Sequence, residues 1–342
     1  SGKRFAVVAE EIRRLADRVG GSTKEIRGLI DEIRAAVNTT VMTTEGGTKA
    51  VDAGTREFAD VAKRWCDRQA IAGFPGMCRV RRVEIIRLRG AWAEAEAQAR
   101  LACDELQEFS LVYAGEGFYQ IGEIRLRMGD LEGAEKAFSQ AHEMGRDPQP
   151  GLAMLRYAEG RTDAGAKLLD RSLGGLAAVP LDRARLLPAE VELAVALRDL
   201  GRAEAAAGEL ERIAAQYGTH VLRAAAGVAR GMVALAGGEY EAAIESLRVA
   251  LRIWQEADAP YEAARTRTAL ASAYLAAGDP ETAELELSAA TGVFERLGAA
   301  PDLQKAIQQR ADVAEREQGR SVAGRAVRTF MFTDIVRSTN LI

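Results

Sequence analysis

Histidine, cysteine and aromatic residues are scarce in this 342-residue chain. It holds two histidines, His142 and His220, and three cysteines, Cys66, Cys78 and Cys103, while aromatics make up 6% of the sequence. An odd number of cysteines at irregular spacing is no disulfide framework, so reduced thiols in a cytoplasmic protein are expected. Both histidines lie far from the cysteines in sequence, which leaves no pattern for a zinc site. No apolar run approaches the roughly 20 residues that a membrane-spanning helix requires. Neither charge sign is in strong excess: 46 Lys and Arg against 50 Asp and Glu leave −4. That balance argues against a nucleic-acid surface and against an acidic tail. No secretory signal is visible, and the chain opens on Ser1 rather than methionine, so a piece of a longer protein is expected.

What the chain has in quantity is alanine, leucine, arginine and glutamate, which favour helix over strand. The first fifty residues carry a heptad pattern. Phe5, Val8, Ile12, Leu15, Val19, Ser22, Ile26, Leu29, Ile33 and Ala36 step by three and four, with Glu10, Glu11, Arg13, Arg14, Lys24, Glu25 and Arg27 between them. A helix with one such stripe cannot bury it alone, so partner helices and self-association are expected. The stretch "GKRFAVVAEEIRRLADRVGGSTKEIRGLIDEI" resembles the signalling domain of methyl-accepting chemotaxis receptors, at the helix that returns from the hairpin tip. The resemblance implies that Phe5, Val7 and Val8 lie at the end that contacts the coupling protein and the kinase. Arg4 stands where the family usually has glycine.

The middle of the chain repeats. Glycines at 90, 129, 160, 201, 238 and 278 each separate two amphipathic stretches. Five positions later come Ala95, Ala134, Gly165, Ala206, Ala243 and Ala283. Nine positions later come Ala99, Phe138, Leu169, Leu210, Leu247 and Leu287. Glycine permits the left-handed turn that ends one helix. The small residue lets two helices approach, and the larger one fills the space one turn on. This is similar to the tetratricopeptide pattern, best seen in "IGEIRLRMGDLEGAEKAFSQAHEMG" and "ASAYLAAGDPETAELELSAA". It implies an all-α, right-handed solenoid of about six helix pairs, with Gly90, Gly129, Gly160, Gly201, Gly238 and Gly278 as structural turn residues. Each pair is expected to touch only its neighbours, and the concave face of the first helices is the expected protein-binding surface. Trp254, Tyr274 and Phe294 read as core. The turn spacing exceeds the standard repeat of about 34 residues in most units, so the later helices are expected to be a turn longer.

"RIWQEADAPYEAARTRTALASAYLAAGD" and the segment from Arg64 to Arg100 resemble large bacterial signalling proteins. In these a tetratricopeptide-like region precedes either a LuxR-type helix-turn-helix or a nucleotide cyclase. The last residues favour the second. A polar linker leads into "VRTFMFTDIVRSTNLI", where Thr329 to Val336 reads as a buried strand. This is similar to the opening of a class III adenylate or guanylate cyclase domain. The resemblance implies that Asp334 and the carbonyl of Ile335 ligate Mg2+ or Mn2+ in a complete domain, with Ser338 and Thr339 near the triphosphate. Arg337 replaces a common glycine there.

The organisation expected is a receptor-like helix (1–54), a connecting segment (55–78), a repeat domain (79–310), a linker (311–326) and the first strand of a cyclase domain (327–342). As it stands this chain is expected to hold no cofactor and catalyse nothing. Its expected role is a scaffold that binds proteins and regulates a cyclase output. The alternatives are a chemotaxis-type transducer fragment and the scaffold of a LuxR-type regulator.

Overall fold

The computed structural model describes residues 74–175 and 179–315. The chain divides into two compact units, 1–71 and 72–342, and every described residue belongs to the second. The heptad helix with Phe5, Val7 and Val8 lies outside the described residues. So does the terminal strand with Asp334, Ile335, Ser338 and Thr339.

The described residues form six helix hairpins and one further helix, with no strand among them. The hairpins are α1 (Phe74–Leu88) with α2 (Trp92–Leu106), α3 (Leu111–Met128) with α4 (Leu131–Glu143), and α5 (Gly151–Ala158) with α6 (Thr162–Gly175). They continue as α7 (Pro180–Ala196) with α8 (Leu200–Tyr217), α9 (His220–Gly237) with α10 (Tyr240–Glu256), and α11 (Pro260–Ala277) with α12 (Pro280–Leu297). Helix α13 spans 300–315. The helices from α8 to α12 have 17 or 18 residues, against 15 in α1 and α2.

Two of the six turns between hairpin partners use one two-residue device. In Gly129–Asp130 and Gly278–Asp279 the glycine closes one helix at positive φ (88° and 89°). The aspartate then accepts a hydrogen bond from the third residue of the next helix, Gly133 or Thr282. Gly90, Gly160 and Gly238 also have positive φ. Gly201 does not share this role. In the fourth hairpin the left-handed residue is Arg198, at φ 61°, and Asp199 caps α8 by accepting from the Arg202 amide. Gly201 is the second residue of α8. The alanine-rich "RAEAAAGEL" tolerates both registers, and the capping aspartate decides between them. Counted from Arg198, the positions five, nine and twelve later are Ala203, Ala207 and Leu210, all fully buried. The bulky residue has thus moved one turn along the helix face.

Neighbouring hairpins pack as expected. Phe138 of α4 is fully buried, its ring lying where a Cβ on Gly122 or Gly151 would stand, at 2.5 and 2.4 Å. Trp254, Tyr274 and Phe294 are buried. The expectation that each hairpin touches only its neighbours fails, because the solenoid closes on itself. Trp92 of α2 meets Tyr261 of α11 edge-on, with ring centroids 5.2 Å apart. Arg127 of α3 pairs with Glu262 of α11 at 3.3 Å. Leu297 and Pro260 press on Gly90, and Pro301 presses on Gly129. One buried cluster accordingly contains Val83, Trp92 and Ile124 from the start of the array and Leu247, Leu287 and Phe294 from its end.

Candidate functional site: a groove inside the closed solenoid

The inner face is built from the first helices of the hairpins. Counted back from each left-handed turn residue, positions three, six, ten and thirteen form one helical stripe, since that spacing returns to the same face. On α9 the stripe is Leu235, Met232, Val228 and Ala225. On α7 it is Val195, Glu192, Pro188 and Arg185. On α11 it includes Ser272, Thr268 and Arg265. Ten of these residues line a cavity of about 500 Å³, with Tyr157 of α5 at one side and Asp302, Lys305 and Gln309 of α13 at the other.

The first repeats fill the same stripe differently. There Glu123, Tyr119 and Glu116 of α3 lie within a dense polar mesh. Arg87 donates to Gln120 at 2.9 Å and pairs with Glu123 at 3.8 Å. Arg127 pairs with Glu123 at 3.4 Å, and Gln120 donates to Glu116 at 3.1 Å. Arg146 lies over the Tyr119 ring, 4.3 Å from its centroid, and Arg185 reaches the same ring from α7. Gln120 and Tyr119 are buried. Burial pushes the Tyr119 hydroxyl up, and Glu123 adds to it. The mesh blocks the first half of the concave face and leaves the second half open.

The open half has an apolar floor and a charged wall. Val228, Met232, Leu235 and Ala229 of α9 form the floor, beside Trp254, which lines the cavity as well as the core. Across it Arg265 donates to Glu192 at 2.7 Å through one guanidinium nitrogen. Glu192 first, then Tyr261, Glu262 and Asp302, raise Arg265 well above the ordinary arginine range, against the opposing effect of burial. Among the described residues no group accepts from its other two nitrogens. Lys305 lies 6.0 Å from the Tyr157 ring centroid. Gln309 donates to Ser272 at 3.3 Å, while its carbonyl oxygen is buried without a hydrogen-bond donor. Burial and Glu192 push the Tyr157 hydroxyl up. Apolar surface with a few convergent polar groups is the usual make-up of a binding cleft.

None of the turn glycines singled out from the sequence lines this groove. Their place is at the hairpin turns. The stripe residues of the groove precede each turn, so the positions that follow the glycines in the repeat pattern do not reach them. Among the described residues no cluster of three or more His, Cys, Asp or Glu could hold a metal ion. No described helix is long and apolar enough to cross a membrane. Burial pushes the Cys103 thiol up to about 12, which suits a packing residue rather than a nucleophile.

Residues 1–68 match the methyl-accepting chemotaxis protein (MCP) signalling domain family. YvaQ of Bacillus subtilis, named as a sensory transducer protein, is 36% identical over 63 residues, which is 18% of this chain and 11% of YvaQ. Protein PilJ of Pseudomonas aeruginosa is 41% identical over 60 residues, 18% of this chain and 9% of PilJ. The matched segment is thus about a tenth of the length of these curated relatives. Among solved structures, a Rap protein complexed with Competence and Sporulation Factor is similar at a TM-score of 0.56. Its identity is 12%, and the alignment covers 74% of each chain. That likeness is one of fold. The chain therefore joins a segment similar to the MCP signalling domain to a tetratricopeptide-like helical solenoid.

Proposed function

We propose that the repeat unit is a protein-interaction scaffold in a signalling protein, and that it takes a segment of a partner chain into the groove between α5, α7, α9, α11 and α13. One observation carries this reading. The stripe that is filled by charge pairs in the first repeats is open in the later ones, over an apolar floor, with Arg265, Lys305 and Gln309 holding unused hydrogen-bonding capacity. An apolar side chain on α9, anchored by polar contacts to α11 and α13, suits such a cleft. The Rap protein of similar fold was crystallised in complex with Competence and Sporulation Factor, which supports ligand binding by such a fold without naming a partner here. Selection of a displayed random-peptide library on the full chain tests the reading. Selected peptides should lose binding to Met232→Glu and keep it with Leu285→Glu on the exposed outer face of α12. Binding that survives Met232→Glu removes the groove from the function.

The flanking segments give this scaffold its signalling context. The segment at 1–68, similar to the MCP signalling domain, serves in this reading as an input or docking element that self-associates. The terminal segment is read as the opening of a class III cyclase whose activity the scaffold regulates, with Asp334 as metal ligand. The F-T-D-I run supports that output. In a longer chain containing the whole domain, Asp334→Ala should abolish turnover of ATP or GTP with magnesium or manganese and leave the helical signal unchanged. Full turnover in that variant eliminates the cyclase output.

A further inference from the structure

The contacts that close the solenoid and one wall of the groove belong to the same helix. The first turn of α11 faces the closure. Tyr261 packs on Trp92 at 5.2 Å and on Phe294 at 6.1 Å, and Arg127 lies over its ring at 4.7 Å. One turn later, Arg265 faces the groove. Two carboxylates serve both places. Glu262 pairs with Arg127 across the closure and also lines the groove. Asp302 accepts from the Tyr261 hydroxyl at 2.8 Å and also lines the groove.

This seam differs from most junctions between neighbouring hairpins. Adjacent helices pack side by side along their length, whereas α1, α2 and α3 do not run along α11 or α12. The seam is made by side chains near helix ends. It rests on two turn glycines: a Cβ on Gly90 would meet Leu297 at 2.6 Å, and one on Gly129 would meet Pro301 at 3.1 Å. The turn glycines 160, 238 and 278 have nothing within 4 Å at that position. Parting the seam leaves each hairpin packed on its sequence neighbours, so both a closed and an open array keep most of their buried surface.

We propose that the seam between the first two hairpins and the end of the array is a latch that opens and closes as a unit, and that α11 carries this motion to the groove, which widens when the latch opens. The proposal goes beyond partner binding and does not rest on it. Small shifts become discrete states at such a junction because packed side chains rearrange as sets rather than stretch.

The test uses the full chain with Cys66→Ser and Cys78→Ser, Cys103 being buried. Spin labels at Leu101→Cys on α2 and Leu285→Cys on α12, both exposed, report the distance across the seam. A short and a longer population are expected, and Glu262→Gln should raise the longer one about fivefold or more. That variant preserves size and leaves Arg127 paired with Glu123. In separate proteins, alkylation of a single Met232→Cys in the groove should accelerate severalfold when Gly90→Ala, which meets Leu297 in the seam and lies outside the groove, is added. Tyr261→Ala should do the same more strongly. If it unfolds the chain, Glu262→Gln and Gly90→Ala carry the test. A single distance, unchanged in Glu262→Gln with full helical signal, overturns the latch. A seam that opens while the Met232→Cys rate stays constant overturns its link to the groove.

Discussion

Arg198 performs the task that glycine performs in the other turns between hairpin partners. Its φ of 61° costs an L-residue with a Cβ about 1 kcal/mol or more, and its side chain is exposed. Arg198→Gly should therefore stabilise the protein by about 0.5–1 kcal/mol. Gly201 is the reverse case: it sits in the first turn of α8, and a Cβ there would meet nothing closer than Asp199 Oδ1 at 3.8 Å. Gly201→Ala should add about 0.4–1 kcal/mol by restricting the unfolded chain. Urea midpoints at constant m-value check both, and a loss of stability in Gly201→Ala would restore that glycine to a turn role. Two other glycines separate turn strain from closure. Gly238→Ala meets only the strain of positive φ, about 1 kcal/mol, while Gly90→Ala adds a collision with Leu297. Gly90→Ala should be the more damaging of the two, and equal losses would mean that the seam contributes nothing.

Among the helices, α3 explains why the groove begins where it does. Its inner stripe is committed to ion pairs. Burial alone would push the Glu116 carboxyl up, but the Arg146 guanidinium against it holds it below the usual carboxylate range. Hydrogen bonds from Arg183 and Arg230 hold Glu209 and Glu211 low as well. A carboxylate with a lowered folded pKa contributes stability that is present above its unfolded value, near 4.3, and is lost as pH falls through the folded value. The urea midpoint should therefore hold between pH 7 and about pH 5 and drop toward pH 3. Glu116→Gln should lower stability at pH 7 by about 1–3 kcal/mol and make the acid drop smaller. An unchanged drop would show that Glu116 is not among the groups that titrate with unfolding.

Closure should make the solenoid melt as a single cooperative body rather than as a row of hairpins. Fragment 74–315 should melt in one strongly helical transition. A cut at 298 removes Ala306 and Val313 from the cluster shared by both ends, and both are essentially fully buried. That shorter fragment should melt roughly 5–10 °C lower. If the two melt together, α13 is an appendage and the closed core does not extend to it. Separate melting of early and late hairpins in 74–315 would show that the seam leaves the two ends uncoupled.

The sequence by itself determined the local order: helices rather than strands, hairpins in series, and five of the six turn positions, each marked by a glycine. Those signals are local, because a left-handed cap and a capping carboxylate act within a few residues. It also carried the inner stripe three, six, ten and thirteen positions before each turn, which needs only the helix period and the correct turn residue. The placement of the fourth turn at Gly201 blurred the stripe on α7: counted from there it reads Arg198, Val195, Val191 and Pro188, which loses Glu192 and Arg185. What only the tertiary structure decided is that Trp92 meets Tyr261 and that Arg265 reaches Glu192. The curvature of a repeat array is the sum of small rotations at every hairpin junction, and no single junction's residues reveal whether that sum brings the ends together. The closure follows from that sum, while the filled early face and the open later groove also follow from the residues on the inner stripe.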